Sequence, residues 1–525
     1  MKIIFIFLLI TSLFGSCVSV EKYNRNLNVL RSEKQLKSDI DYIHTKLERL
    51  HPNLYWYITR QDLDFKFDSL KSSINAPMTS NEFYFQLSPV LSSVRQGHLR
   101  LFPLNKKIKI KESFSLLKSG TSPLSQFEFE SFDNKLFVIK NNSVDSSIVA
   151  GTEVVAVNNL KPQELVSKYS RTFTSDGYNR TFTDRRSGKG LPTWFYYQNG
   201  ITDSVFCQLK YNDSVRTVCL KRKSVKVVTK KKKTEEIITV KRDQNKKENK
   251  KRKESGFDEL TKSYSKNLSF IEPDSSIAVL KIRDFSNGNY KKFYSNSFRQ
   301  LDTLKTNTLI LDLRDNPGGY LRDAMDLYSY LSDSDFVFID RSVVVSRTSI
   351  LHTNYFRGNP LFFNAILFAF SPIKLVAMGI TLLKVKKEAG NKFYYPFPGS
   401  KPGHSKPDRF KGKLYVLING GSFSATCLLS SNLKGSHRAV FVGEETGGAF
   451  NGTVAGKMPV FTLPESKLHV QFGLALIQPY YKTELEGRGI FPDIEIKPIL
   501  EDRIKGKDLE LQWVLEDING RSRDR

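Results

Sequence analysis

The chain has 525 residues and a formal net charge of +27, with 39% hydrophobic and 12% aromatic residues. That length is too great for one ordinary core and implies about two to four domains, while the composition excludes a wholly disordered chain. The charge invites a nucleic-acid partner, but much of it is local. Residues 221–254 carry 16 basic and 5 acidic residues, and no aromatic side chain is interleaved there to stack on bases. The pattern is that of a solvated linker touching anionic surfaces, phospholipid or lipopolysaccharide, and it argues against nucleic acid.

The first seventeen residues, "MKIIFIFLLITSLFGSC", join one lysine, an apolar run too short to span a bilayer, and the small residues Gly15 and Ser16 before Cys17. The run reads as an export signal over residues 1–17, and "LFGSC" resembles a bacterial lipobox. That resemblance implies lipid on Cys17 and an exported, periplasmic protein held on a membrane, the outer membrane by expectation. No CxxC or His/Cys spacing indicates a metal, and no cofactor is expected.

Residues 30–105 read as helical, with Ile40, Ile43, Leu47 and Leu50 at helical spacing before the break at Pro52. Over residues 115–222 the period becomes two, in "FEFESF", "KLFVIK" and "TEVVAVNN". The phrase "IVAGTEVVAVNNLKPQEL" resembles part of a PDZ domain. "SVFCQL" and "VRTVCL" flank the turn "YNDS", so a disulfide between Cys207 and Cys219 is left open, with Cys427 a buried thiol. A basic linker spans residues 223–256. Residues 257–525 alternate strands ("SIAVLKIRDF", "TNTLILDLRDN", "KGKLYVLIN", "HRAVFVGE") with helical patterns, which predicts an α/β layer on a largely parallel sheet. Residues 333–405 interrupt it, and their apolar centre predicts two short amphipathic helices over a cleft or on a membrane surface.

In "KLYVLINGGSFSATCLLSSNLK" a strand, a small-residue turn and a helix would present a hydroxyl at a helix N-terminus, where backbone amides converge. Serines at helix starts also cap them, so this stretch alone leaves Ser422 and Ser424 open. A second strand-end loop, "RDNPGG", bares more amides. Together with "VGEETGG" and "GRGIFPDIEI", the two loops resemble the C-terminal processing and tricorn-type serine peptidase family, tail-specific proteases included. The resemblance implies a multidomain α+β protein with a helical N-terminal segment, a β-rich PDZ-like domain and an α/β catalytic domain of the ClpP/crotonase-like type. It implies an endopeptidase acting on exported polypeptides. Ser424 would be the nucleophile, the amides of Gly318 or Gly319 and of Ala425 the oxyanion hole, and Ser422 a turn residue.

The family's processing branch uses a lysine base shortly after the nucleophile, but Ala449 stands at that place, and Lys457 lies further on. The tricorn-type branch instead implies a histidine from "VRQGHLRL", His98, oriented by a glutamate from "ELEGRGIFPDIEI", Glu486. Of the other histidines, His51 fits a turn, His44 a packed helix, and His437 and His469 lie on or beside strands. Glu444 and Glu445 read as loop structure. The rival class is a non-catalytic protein binding an apolar ligand or peptide on the same scaffold.

Overall fold

The computed structural model describes residues 20–109, 112, 120–223, 248–258, 262–271, 275–353 and 372–520. The export signal with Cys17, most of the basic linker and the first part of the apolar run in the insertion lie outside them. The fold is mixed α and β in several parts.

After a short opening helix, Val20–Leu27, come three longer ones, Glu33–Leu50, Arg60–Ser73 and Ser80–Ser92, each with a hydroxyl N-cap: Ser32, Thr59 and Thr79. Ile40, Ile43 and Leu47 are fully buried and Leu50 nearly so, as their spacing demands. This helical part has no separate core. Leu36, Ile43, Leu87 and Val94 join one continuous cluster with Phe461, Val470 and Phe472 from the far end of the chain. After the third helix the short strand Arg100–Phe102 pairs antiparallel with His469–Gln471, fastening the His98 loop to the C-terminal part.

The second part is an antiparallel meander of Phe127–Phe132, Lys135–Asn141, Glu153–Val157, Ser204–Tyr211 and Ser214–Lys221 around its own core. Helices Pro162–Ser170, Thr181–Lys189 and Leu191–Asn199 enter between its third and fourth strands. The open disulfide is not formed. Cys207 faces Val218 and Cys219 faces Phe206 across the ladder, so one thiol is buried while the other points to solvent.

The third part carries a six-stranded sheet in the order Ile494–Glu495, Val440–Gly443, Lys413–Ile418, Thr308–Asp312, Ile277–Ile282, Lys266–Ile271. Every pair is parallel except the last. Helices Tyr290–Thr303, Leu321–Ser329 and Ala425–Gly435 lie in the connections, as the alternation of patterns predicts. Of the two helices expected from the insertion's apolar centre, Pro372–Lys384 is described, and the first half of that centre lies outside the described residues. The insertion also supplies strands Ser342–Val344 and Phe393–Tyr395, which join Ala475–Ile477 and Thr453–Ala455 in a second sheet. Runs of three β-branched or aromatic residues fit a strand but are too short to show a period. Among the described residues no helix is long and apolar enough to cross a membrane.

Candidate active site

The neighbouring strands Thr308–Asp312 and Lys413–Ile418 run parallel with Asp312 opposite Leu417, so the loops after them leave the sheet side by side at its carboxyl edge. Asn316 joins them. Its Nδ2 donates to the Ile282 carbonyl (3.0 Å), its Oδ1 accepts from Gly318 N (2.9 Å), and its carbonyl accepts from Phe423 N (2.9 Å) and the Thr426 hydroxyl (3.1 Å). Gly318 must be glycine: at φ 95° a Cβ would lie 2.7 Å from Ser424 Cβ and 2.9 Å from Ala425 N.

Ser422 is fully buried and its Oγ donates to the Leu313 carbonyl (2.8 Å), so it braces the turn. Ser424 differs. It precedes the Ala425–Gly435 helix at φ 59°, ψ −122°, caps no amide, and is only half-buried. The amides of Gly319 and Ala425 have no acceptor among the described residues, whereas Gly318 N is held by Asn316. Of the expected oxyanion-hole donors, Gly319 and Ala425 are therefore free and Gly318 is engaged.

His98 reaches this serine from the other end of the chain: its Nε2 lies 3.0 Å from Ser424 Oγ. The approach depends on Gly97, where a Cβ would come 2.4 Å from Phe423 Cζ. The imidazole rests beside the Phe423 ring, which stacks on Phe182 at 4.7 Å. Burial, then the charge of Arg100, push the His98 pKa down to about 3, so the ring is neutral at ordinary pH and able to accept a proton.

The orienting residue is where sequence and structure part. Glu486 does not meet His98. It is exposed, and its carboxylate accepts from Asn451 Nδ2 (2.7 Å) and Trp56 Nε1 (3.1 Å). The Nδ1 atom of His98 instead meets the Thr453 hydroxyl at 3.0 Å. Next to Thr453 is Asp176, buried, with Oδ1 accepting from Gly97 N (2.7 Å) and the carboxylate also facing the Thr453 hydroxyl and the Ala449 amide. Neither Thr453, in "NGTV", nor Asp176, in "SDGY", stood out in the sequence.

Of the remaining candidates, Lys457 is exposed and Ala449 is buried. His51 is buried against Phe472, His44 bonds Asp64 and stacks on Phe67, and His469 pairs with Thr462. Glu445 binds Arg488 and the Gly489 amide, which makes it loop structure, and Glu444 lies near Arg185. His44, Glu48 and Asp64 come together on the first two helices, but Arg60 already pairs with both carboxylates.

Residues 276–496 match the family model described as Peptidase family S41. Among solved structures, mature CPAF is similar over 93% of this chain and 98% of that chain, at 15% identity and a TM-score of 0.57. Mature CPAF complexed with lactacystin covers 93% of this chain and 99% of that chain, at 15% identity and a TM-score of 0.59. At that identity the likeness speaks for the fold, which it shares along nearly its whole length. No curated protein sequence matches the chain. The stretch from residue 276 to 496 is thus similar to peptidase family S41, and the chain is a serine peptidase.

Proposed function

We propose that the chain is an endopeptidase cleaving exported polypeptides, with Ser424 as nucleophile and His98 as general base. The observation that carries this is the 3.0 Å approach of His98 Nε2 to Ser424 Oγ beside two free amides. As Oγ attacks the scissile carbonyl, its proton passes to Nε2, and the oxyanion is received by the amides of Ala425 and Gly319. Collapse returns the proton to the leaving amine and leaves an acyl group on Ser424, which water activated by the same imidazole hydrolyses. A cleft of about 1060 Å³ beside the Asp176 loop is lined by Trp56, Tyr57, Arg95, Gly177, Tyr178 and Arg180, and its lining includes neither Ser424 nor His98.

The antiparallel meander is read as the PDZ-like domain, with limits near 115–222, and the six-stranded layer as a ClpP/crotonase-like catalytic domain. The lipobox-like "LFGSC" supports anchoring of the exported chain through Cys17. The test of the chemistry is a fluorophosphonate probe on the purified protein. Wild type should be labelled, Ser424→Ala not at all, and His98→Ala slower by about 10⁴ to 10⁶. Equal labelling of wild type and Ser424→Ala would refute the nucleophile assignment.

A further inference from the structure

We infer that Thr453 and Asp176 complete this active site behind His98: the Thr453 hydroxyl accepts the His98 Nδ1 hydrogen and directs its own hydrogen to the Asp176 carboxylate. The inference rests on the Ser424/His98 reading above and makes both residues positioning groups.

The tautomer of His98 sets the first requirement. For Nε2 to take the serine proton, the ring hydrogen must sit on Nδ1, and the atom facing Nδ1 is Thr453 Oγ1 at 3.0 Å. A hydroxyl has one hydrogen to give. Once it accepts from Nδ1 it must donate elsewhere, and the acid beside it is Asp176. That carboxylate is 1% exposed, and besides the Gly97 amide it faces the Thr453 hydroxyl and the Ala449 amide. A buried carboxylate persists only where donors such as these face it.

The backbone fixes its place. Asp176 N donates to the Gly447 carbonyl (3.2 Å), Gly177 N to Arg95 O (2.8 Å) and Tyr178 N to Gly487 O (2.7 Å). The Asp176 loop thus clips together the histidine loop, the loop after the nucleophile and the Glu486 loop. Gly177 stands at φ 74°, and a Cβ there would come 2.3 Å from the Gly487 carbonyl oxygen, so the clip tolerates no larger residue.

When His98 gains the serine proton, the imidazolium is stabilised by the Asp176 charge acting through the hydroxyl. The relay thereby fills the place that Glu486, bonded to Asn451 and Trp56, leaves open. Burial raises the Asp176 carboxyl to about 7, opposed by the Gly97 amide, the Thr453 hydroxyl and the Arg100 charge. The titratable groups facing it are Arg100, Tyr57 and Cys427, and His98 lies one contact further on, at the Thr453 hydroxyl. Tyr57 and the Cys427 thiol are raised by burial and stay neutral, so ionisation of Asp176 sets the acid limb of reactivity.

The test is the second-order rate of fluorophosphonate labelling of the full chain from pH 5 to 9, with thermal midpoints measured alongside. Thr453→Val, which keeps the shape and removes the hydroxyl, and Asp176→Asn should each slow labelling by about 10² to 10⁴. Thr453→Ser should restore it to within about tenfold, and Asp176→Asn should abolish the acid limb near pH 7. The double variant should be no slower than the slower single one, because the residues act as one chain. If Thr453→Val labels like wild type, or if Glu486→Gln is the variant that loses reactivity, the relay is refuted while the peptidase reading stands. Full labelling of Ser424→Ala would instead overturn the reading beneath it.

Discussion

Ser424 holds φ 59° and ψ −122°, a region that side-chain-bearing residues rarely enter and that costs on the order of 1–3 kcal/mol. An ordinary capping serine sits in the β region and bonds an amide of the first turn, as Ser32 and Thr79 do in this chain. Ser424 caps nothing, and the strained turn lifts Oγ off the helix toward His98. Ser424→Gly removes that strain, whereas Ser424→Ala keeps it, since alanine also bears a Cβ. The glycine variant should therefore unfold at a higher temperature than the alanine variant, by a few degrees, although neither reacts with fluorophosphonate. Calorimetry of the two proteins decides it, and an alanine variant as stable as the glycine one would mean that no strain is stored.

At the scale of elements, the site depends on two loops staying in register, and Asn316 is the stitch between them. Asn316→Ala would leave the Ile282 carbonyl and the Gly318 amide unpaired in a fully buried place. At about 1–3 kcal/mol per orphaned group, urea unfolding should show a loss on the order of 2–5 kcal/mol with an unchanged slope. A loss below about 1 kcal/mol would mean that water or a shifted backbone replaces the side chain. The elements around this stitch were legible because they are written in local periods: Ile40, Ile43 and Leu47 along a helix, "FEFESF" along a strand, and strand, turn and helix around Ser424. The face parity of Cys207 and Cys219 was left open by the sequence and is set by the register, in which Tyr211 pairs with Ser214 and the offset carries up the ladder. Strands of three residues such as Ser342–Val344 carry no such period. The partner of His98 Nδ1 was hidden for a different reason: Thr453 lies 355 residues away, and a contact of that kind is set by packing and has no local pattern.

Over the whole molecule, the proposed site takes His98 from the helical part, Asp176 from the second part, and Ser424 and Thr453 from the α/β part, so on that reading catalysis requires all three to stay docked. His51 belongs to that docking. It is 3% exposed, has only backbone groups of its own residue and Pro52 as partners, and packs against Phe472, which stacks on Phe461 at 4.8 Å. Burial lowers its pKa from 6.5 to about 4, so the folded protein holds it neutral while the unfolded chain protonates it below pH 6.5. Its contribution to stability is present above pH 6.5 and is lost as pH falls through about 4. His98, lowered to about 3, acts in the same direction. Asp176, raised to about 7, and Asp323, raised to about 6, act in the opposite one, since each favours the folded state at low pH and loses that contribution as pH rises through its folded value. These opposed slopes flatten the total curve, so the contribution of His51 is visible only as a difference between proteins. Between pH 7 and pH 4, wild type should lose roughly 3 kcal/mol more than His51→Phe, because each tenfold change in proton affinity on folding is worth about 1.4 kcal/mol. Urea titrations of both proteins at the two pH values measure that difference, and parallel losses would mean that the imidazole reaches solvent or a proton partner in the folded state.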